Sequence, residues 1–116
     1  MKEKIVVLGS NGQIGTELVT MLRKIYDDDH VVACDIRRPD YDIKNSAPFE
    51  FVNVLDKEMV KGIFAKYRPT QVYLLAALLS ATGEQNPKLA WDLNMNGLLN
   101  VLDLALEYKT AKVYWP

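Results

Sequence analysis

Three glycines spaced three residues apart are the first residues in the sequence that could do chemistry. Gly9, Gly12 and Gly15 follow the apolar run 5–8 and open a stretch with helical periodicity. In a strand–turn–helix unit of this kind, unpaired N–H groups and the positive end of the helix dipole point at one place, where a pyrophosphate can bind. The spacing predicts a dinucleotide site, although a glycine triplet alone is a weak signal.

An acidic residue strengthens this prediction. Asp35 closes a second apolar run, 31–34, and lies about 20 residues beyond Gly15, the distance typical of dinucleotide-binding folds. A carboxylate at the end of a second strand can accept hydrogen bonds from both hydroxyls of an adenosine ribose, and its charge repels a 2′-phosphate. The two features together predict NAD as the cofactor. The alternative is that Asp35 is a solvated residue at a strand end.

The composition is ordinary for a single globular domain. The 116 residues are 49% hydrophobic and 25% charged, and the formal net charge of −1 argues against a nucleic-acid or membrane-surface partner held by charge. The only cysteine, Cys34, excludes an internal disulfide and is expected in the core. Because no apolar run reaches ~18 residues and the first residues lack a signal-peptide pattern, we expect a cytoplasmic protein.

Apolar runs alternate with amphipathic stretches, which predicts an α/β fold. We expect strands at 5–8, 31–34, 49–54, 71–77 and 112–115. The first helix, 13–26, is predicted by the spacing of Ile14, Leu18, Met21, Leu22 and Ile25. A second helix should begin after the N-cap Asp56 and stop before Pro69, and a third should run from the N-cap Asn86 to about 108.

These elements predict a Rossmann-like, doubly wound parallel sheet of about five strands, with residues 1–116 forming one dinucleotide-binding domain. The right-handed crossover rule brings the carboxyl ends of the strands to one edge, where ligands of such sheets bind. The segments expected there are 9–12, Asp35, Asn53 and 76–80.

The long third helix has two apolar stripes. One stripe should cover the sheet and consists of Ala90, Leu93, Gly97, Val101 and Leu104. The other consists of Trp91, Met95, Leu98, Leu102 and Leu106. It needs another cover, either further chain or a second subunit, and predicts a homodimer. A helix that is simply buried on all sides is compatible with either cover.

Several of these segments resemble a known family. The turn GSNGQIG, Asp35, Ala76-Ala77 and the helix segment NMNG (94–97) resemble the extended short-chain dehydrogenases/reductases, the group that contains the UDP-sugar epimerases. The run 75–102, LAALLSATGEQNPKLAWDLNMNGLLNVL, is similar to the L-threonine 3-dehydrogenases of the short-chain type. The resemblance spans the whole chain but only the N-terminal part of that family's length.

The resemblance implies a cofactor contact for each matching residue. The pyrophosphate of NAD would be held by Gly9, Gly12, Gln13, Ile14 and Gly15, and the adenosine by Asp35, Asn53 and Val54. Leu75, Ala76, Ala77 and Asn94 would follow the cofactor towards the nicotinamide. Ser80 would face a small-molecule substrate, L-threonine.

Three positions depart from the family's pattern. Leu8 stands where threonine is usual, Asn53 where aspartate is common, and Leu74 where histidine is typical. None of them touches the predicted phosphate contacts, but Asn53 changes the expected contacts to adenine, since an amide adds a hydrogen-bond donor.

The resemblance implies that the catalytic residues, a serine or threonine and a Tyr-x-x-x-Lys pair, lie beyond Pro116. Only Tyr108 and Lys112 have the spacing of that pair, and they straddle a helix end and a strand, so we expect no catalytic residue within 1–116. The implied reaction of the whole protein is oxidation of threonine to 2-amino-3-oxobutanoate with formation of NADH. The alternatives are a UDP-sugar epimerase or dehydratase, for which segment 78–84 is the discriminating stretch, and a truncated dinucleotide-binding module without catalysis.

Overall fold

A parallel sheet of five strands forms the centre of the chain. The computed structural model describes residues 3–37, 48–76 and 86–116. In chain order the elements are β1 (Ile5–Leu8), α1 (Gln13–Tyr26), a 3₁₀ turn (Asp28–His30), β2 (Val31–Asp35), β3 (Phe49–Phe51), α2 (Lys57–Tyr67), β4 (Gln71–Leu74), α3 (Pro87–Glu107) and β5 (Lys112–Tyr114). The strand order is β3-β2-β1-β4-β5, and all four pairings are parallel. The predicted Rossmann-like α/β fold is confirmed.

The core lies on both faces of the sheet. On one face Val6 and Leu8 of β1 join a cluster that is covered by α2 and α3, with Phe64 and Val101 fully buried. On the other face Ile5 and Val7 pack with residues of β2 and α1. Burial of both faces explains why the central strands read as continuous apolar runs.

Three strands are shorter than predicted. The strand predicted at 112–115 ends at Tyr114, and two others end early because the chain turns away at the edge where the site lies. The strand predicted at 49–54 ends at Phe51; the N–H of Val52 still donates to the Asp35 carbonyl at 2.9 Å, and a turn follows in which Asp56 N–H donates to the Asn53 carbonyl at 3.0 Å. The strand predicted at 71–77 ends at Leu74. Ala77 lies outside the described residues.

The predicted helix caps are confirmed. The Asp56 carboxylate accepts the Met59 N–H at 3.2 Å at the start of α2, and the Asn86 side-chain carbonyl accepts the Leu89 N–H at 3.2 Å at the start of α3. Helix α2 ends at Tyr67, with Arg68 in the left-handed region at φ 44° immediately before Pro69.

The bounds of α1 agree with the prediction, but its apolar residues do not all face the sheet. Ile14, Met21 and Ile25 are 68%, 60% and 65% exposed. The buried residues are Gly15, Val19 and Leu22. The exposed residues and the buried residues form two neighbouring stripes on the helix surface. The close contact of Gly15 with the preceding turn decides that the stripe containing Gly15 faces inward.

Helix α3 covers the sheet with the stripe that was predicted to do so, since Ala90, Gly97, Val101 and Leu104 are buried. The second stripe needs two corrections, since Met95 is partly buried and packs against the core cluster, and Leu98 lies within that cluster. Leu98 is only 7% exposed and belongs to the core cluster, because it lies at the edge of the second stripe nearest the sheet.

Candidate cofactor site

The glycine-rich turn between β1 and α1 is held between the ends of two neighbouring strands. Gly9 adopts φ +94°, and the N–H groups of Gly9 and Ser10 both donate to the Cys34 carbonyl, at 2.8 and 2.9 Å. A Cβ on Gly9 would lie 2.5 Å from the Ala76 nitrogen. A side chain at this position would therefore meet both an unfavourable backbone conformation and the backbone after β4.

The other two glycines of the turn differ in what surrounds them. A Cβ on Gly15 would lie 2.4 Å from the Gly9 carbonyl oxygen, so this glycine is required by the packing of α1 on the turn. A Cβ on Gly12 would have only that same oxygen within 4 Å, at 3.8 Å, and Gly12 lines a cavity. The protein's own packing thus leaves open space at Gly12, where a ligand can approach the backbone.

The N-terminus of α1 is uncapped, in contrast to α2 and α3. Its N-cap is Gly12, which makes no side-chain cap, and its first turn contains no acidic residue. The first intrahelical hydrogen bond runs from the Thr16 N–H to the Gly12 carbonyl, so the N–H groups of Gln13, Ile14 and Gly15 lack an acceptor within the helix. Such an end, with the positive pole of the helix dipole, fits a phosphate.

Asp35 at the end of β2 lies across the turn from this helix. It is 8% exposed, and its carboxylate accepts the N–H groups of Asn11, Ile36 and Arg37 at 2.8, 2.7 and 3.2 Å. A carboxylate has about four acceptor positions, so about one remains for a ribose hydroxyl.

Asn11 also links the two loops through its side chain, whose Nδ2 donates to the Arg37 carbonyl at 2.6 Å. The sequence analysis did not identify this residue. The sequence does show an asparagine inside the glycine turn. This side chain often bonds to nearby backbone, so its role in linking the loops could have been predicted.

A cavity of about 520 Å³ opens between these elements. It brings together eight of the residues that were predicted to bind the cofactor: Gly9, Gly12, Asp35, Asn53, Val54, Leu75, Ala76 and Asn94. Gln13, Ile14 and Gly15 are not in its wall; they lie behind it in the first turn of α1 and can contribute backbone N–H groups. Ala77, Ser80 and segment 78–84 lie outside the described residues.

The remaining wall of the cavity was not predicted. It is formed by Ile36, Arg37, Val52, Leu55, Leu93 and Gly97. Ile36 directly follows Asp35 and is 67% exposed. An apolar residue next to a predicted ribose contact could have indicated from the sequence that Ile36 forms part of the cavity wall.

The three departures from the family pattern fall into two kinds. Leu8 and Leu74 are 1% and 2% exposed and belong to the core cluster, so they affect packing. Asn53 lines the cavity and faces any ligand there. Cys34 is buried, and burial raises the pKa of its thiol, with the negative charges of Glu50 and Asp35 adding to the effect, so it is a core residue as predicted.

Tyr108 and Lys112 lie away from the cavity. Lys112 pairs with Gln71, the first residue of β4, which places it at the sheet edge opposite the glycine turn. The ring of Tyr108 packs beside Phe64 at a centroid distance of 5.9 Å. Neither residue lines the cavity.

This site, with its glycine turn, acidic strand end and cavity, agrees with a family match that covers almost the whole chain. Residues 5–116 match the model of the NAD dependent epimerase/dehydratase family. The chain belongs to this family, whose cofactor is NAD. A relative from Staphylococcus haemolyticus, described as an uncharacterized epimerase/dehydratase, is 49% identical over 92% of the chain and 34% of its own length.

Solved structures of the family share the fold. A partial consensus L-threonine 3-dehydrogenase is 44% identical with a TM-score of 0.88, over 97% of this chain and 36% of the other. The UDP-glucose 4-epimerase of Thermus thermophilus, solved in complex with NAD, is 30% identical with a TM-score of 0.78, over 95% and 36% of the two chains. The present chain thus spans about a third of the length of these relatives.

The described part of the chain offers neither a metal centre nor a membrane-spanning helix. No group of three or more His, Cys, Asp or Glu residues there could hold a metal ion. None of the helices at 13–26, 57–67 and 87–107 combines the length and apolarity needed to cross a membrane.

Proposed function

We propose that residues 1–116 form the N-terminal, cofactor-binding portion of an NAD-dependent L-threonine 3-dehydrogenase of the short-chain type. The observation that carries the cofactor site is the uncapped N-terminus of α1 near the buried Asp35 carboxylate, beside a cavity of about 520 Å³. The higher identity to a threonine dehydrogenase than to a UDP-glucose epimerase, 44% against 30%, favours threonine as the substrate.

The residues of this chain would hold the cofactor in an extended form across the strand ends. The first N–H groups of α1, with Gly12 beside them, would bind the pyrophosphate, and Asp35 would accept one ribose hydroxyl. Asn53 and Val54, which follow β3, and Leu75 and Ala76, which follow β4, line the cavity on either side of Asp35 and the glycine turn, and Asn94 of α3 lines it as well. The adenosine would therefore lie towards β3 and the nicotinamide towards β4.

Bound NAD supplies a hydride acceptor, and the reaction would remove hydride and the hydroxyl proton from the β-carbon alcohol of threonine. In this chain Leu75, Ala76 and Asn94 would position the nicotinamide end of the cofactor. Ser80 would contact the substrate. The proton acceptor would come from the remainder of the protein, because neither Tyr108 nor Lys112 lines the cavity and Lys112 lies at the opposite end of the strands.

A second candidate is a sugar-nucleotide epimerase or dehydratase, favoured by the shared cofactor half of the Thermus thermophilus enzyme. The test is NADH absorbance after mixing the intact protein with NAD and threonine, and epimer analysis after incubation with UDP-glucose. We expect NADH from threonine and no turnover by residues 1–116 alone, since general-base catalysis contributes ~10²–10⁴ in rate. Conversion of only the UDP-sugar would establish the second candidate, and clear turnover by residues 1–116 would refute the location of the chemistry.

A further inference from the structure

One face of α3 carries residues that are poor helix formers. Asn94, Gly97 and Asn100 recur at intervals of three within Pro87–Glu107, and residues at this spacing lie on the same side of a helix. Glycine and asparagine both favour the helix less than alanine or leucine do. Because a sequence that only needed a stable helix would avoid them, we expect this face of α3 to serve a contact elsewhere in the fold.

The contact is with the segment that follows β3. The side-chain Nδ2 of Asn100 donates to the Val54 carbonyl at 2.9 Å, and a Cβ on Gly97 would lie 3.1 Å from the Val54 Cγ2. The missing Cβ lets Val54 pack closely on the helix, while Asn100 holds its backbone. Val54, Gly97 and Asn94 all line the cavity, whereas Asn100 does not. Asn100 therefore lies behind a wall of the proposed cofactor site.

The turn after β3 keeps its shape through bonds of its own. The Asn53 side-chain oxygen accepts the Leu55 N–H at 3.0 Å, and the Asn53 carbonyl accepts the Asp56 N–H at 3.0 Å. The bond from Asn100 joins residues 46 positions apart in the sequence and ties this turn to α3. The local bonds thus determine the form of the turn, and the bond from Asn100 determines its distance from the helix.

From this arrangement we infer that Asn100 is a positioning residue for the cofactor site. By holding the Val54 carbonyl it fixes segment 53–55 relative to the part of the cavity wall that α3 provides, and so sets the width of the cavity. Without this bond the Val54 carbonyl loses its donor and the turn can move away from α3. The inference rests on the proposed cofactor site and adds to it a residue that the cofactor itself would not touch.

Two substitutions remove the donor in different ways. Asn100→Asp keeps the size of the side chain but replaces Nδ2 by a charged oxygen, which would repel the Val54 carbonyl. Asn100→Ser shortens the side chain and adds no charge. Asn96→Asp is the matched control, because it makes the same change at an exposed position of the same helix. Asn100→Gln retains an amide donor and is the rescue variant.

The measurement is calorimetric binding of NAD and of ADP-ribose, which lacks the nicotinamide, to the intact protein. We expect Asn100→Asp and Asn100→Ser to weaken the binding of both ligands by about five- to tenfold, the effect of one lost hydrogen bond. Asn96→Asp and Asn100→Gln should leave both affinities within about twofold of the unmutated protein. An equal loss for the two ligands would place the effect on the part of the cofactor that they share.

Urea denaturation of the same variants separates positioning from stability. A purely structural role would lower the urea midpoint of Asn100→Asp and Asn100→Ser and leave the affinity of the folded protein unchanged, and that result would overturn the inference. An affinity of Asn100→Gln as low as that of Asn100→Ser would overturn it as well. If Asn100→Asp does not fold, Asn100→Ser decides the question alone. An unmutated protein that binds neither ligand would refute the cofactor site and the inference together.

Discussion

The backbone N–H of Asn11 donates to the Asp35 carboxylate at 2.8 Å, which ties the glycine-rich turn to the end of β2. The two loops that would hold the pyrophosphate and the ribose are therefore one hydrogen-bonded unit. This contact gives Asp35 two tasks, one in the fold and one toward the cofactor.

We expect Asp35→Ala to weaken NAD binding by about ten- to a hundredfold, because a hydrogen bond to a charged group contributes roughly 1.5–3 kcal/mol. The unmutated protein should prefer NAD to NADP, since the carboxylate would face the 2′-phosphate with like charge. Asp35→Asn is the control, because it keeps an acceptor for the backbone N–H groups and removes the charge. Titration calorimetry measures both cofactors, and equal affinity for them before mutation would contradict the assignment.

The glycines provide a second prediction, in which stability and binding respond separately. Gly15→Ala should reduce stability strongly, because its Cβ would lie 2.4 Å from the Gly9 carbonyl oxygen. Gly12→Ala should cost about 1 kcal/mol or less in unfolding free energy, as expected for alanine at an N-cap, but should reduce NAD affinity at least tenfold by filling the phosphate position.

Gly62→Ala is the matched control for this pair. Gly62 lies on the exposed side of α2 with nothing within 4 Å of its Cβ position, so alanine should stabilise the protein by about 0.5–1 kcal/mol and leave NAD binding unchanged. Chemical denaturation and calorimetry on the three variants check these expectations. A Gly12→Ala protein with normal NAD affinity would show that the phosphates lie elsewhere.

The cluster of Glu50, Lys66 and Tyr67 predicts a pH dependence of stability. Burial raises the pKa of Glu50, but hydrogen bonds from Lys66 and Tyr67 outweigh it and hold the pKa below its ordinary value of 4.5. The folded protein thus favours the charged form, and the stabilisation is complete above that value and is lost as the pH falls through the lowered pKa.

Glu50→Gln should therefore lower the unfolding free energy at pH 7 and lose this difference in acid. Urea denaturation of both proteins at neutral and acidic pH is the measurement. A difference that is constant with pH would mean that charge at Glu50 does not stabilise the β3–α2 contact.

The exposed stripe of α3 predicts self-association. Trp91, Leu102 and Leu106 are 63%, 38% and 81% exposed, and Leu99, which is 49% exposed, extends the stripe in place of the buried Leu98. A homodimer through this stripe would remove their apolar surface from water.

Leu102→Glu with Leu106→Glu should convert the intact protein to monomers in light scattering. Leu89→Glu is the control, because Leu89 is exposed on another side of the same helix. An unmutated protein that is monomeric at high concentration would show that the stripe has a different cover.

Local patterns in the sequence were sufficient for much of the fold. The strand β1, the bounds of α1 and the caps Asp56 and Asn86 follow from apolar runs, helical spacing and side chains that bond to nearby backbone. The placement of Gly12 and Asp35 at one sheet edge also follows, because parallel strands joined by right-handed crossovers end on the same side.

Only the tertiary structure decided what depends on contacts between distant segments. The close approach of Gly15 to the turn selects the stripe of α1 that is buried, and the packing of α3 on the sheet places Leu98 in the core. The N–H of Asn11 reaches the Asp35 carboxylate from a separate loop, whereas the bonds from Ile36 and Arg37 to Asp35 and from Leu55 to Asn53 are local. Residue types alone therefore name the groups at the site, whereas the fold decides which of their hydrogen-bonding positions remain for a ligand.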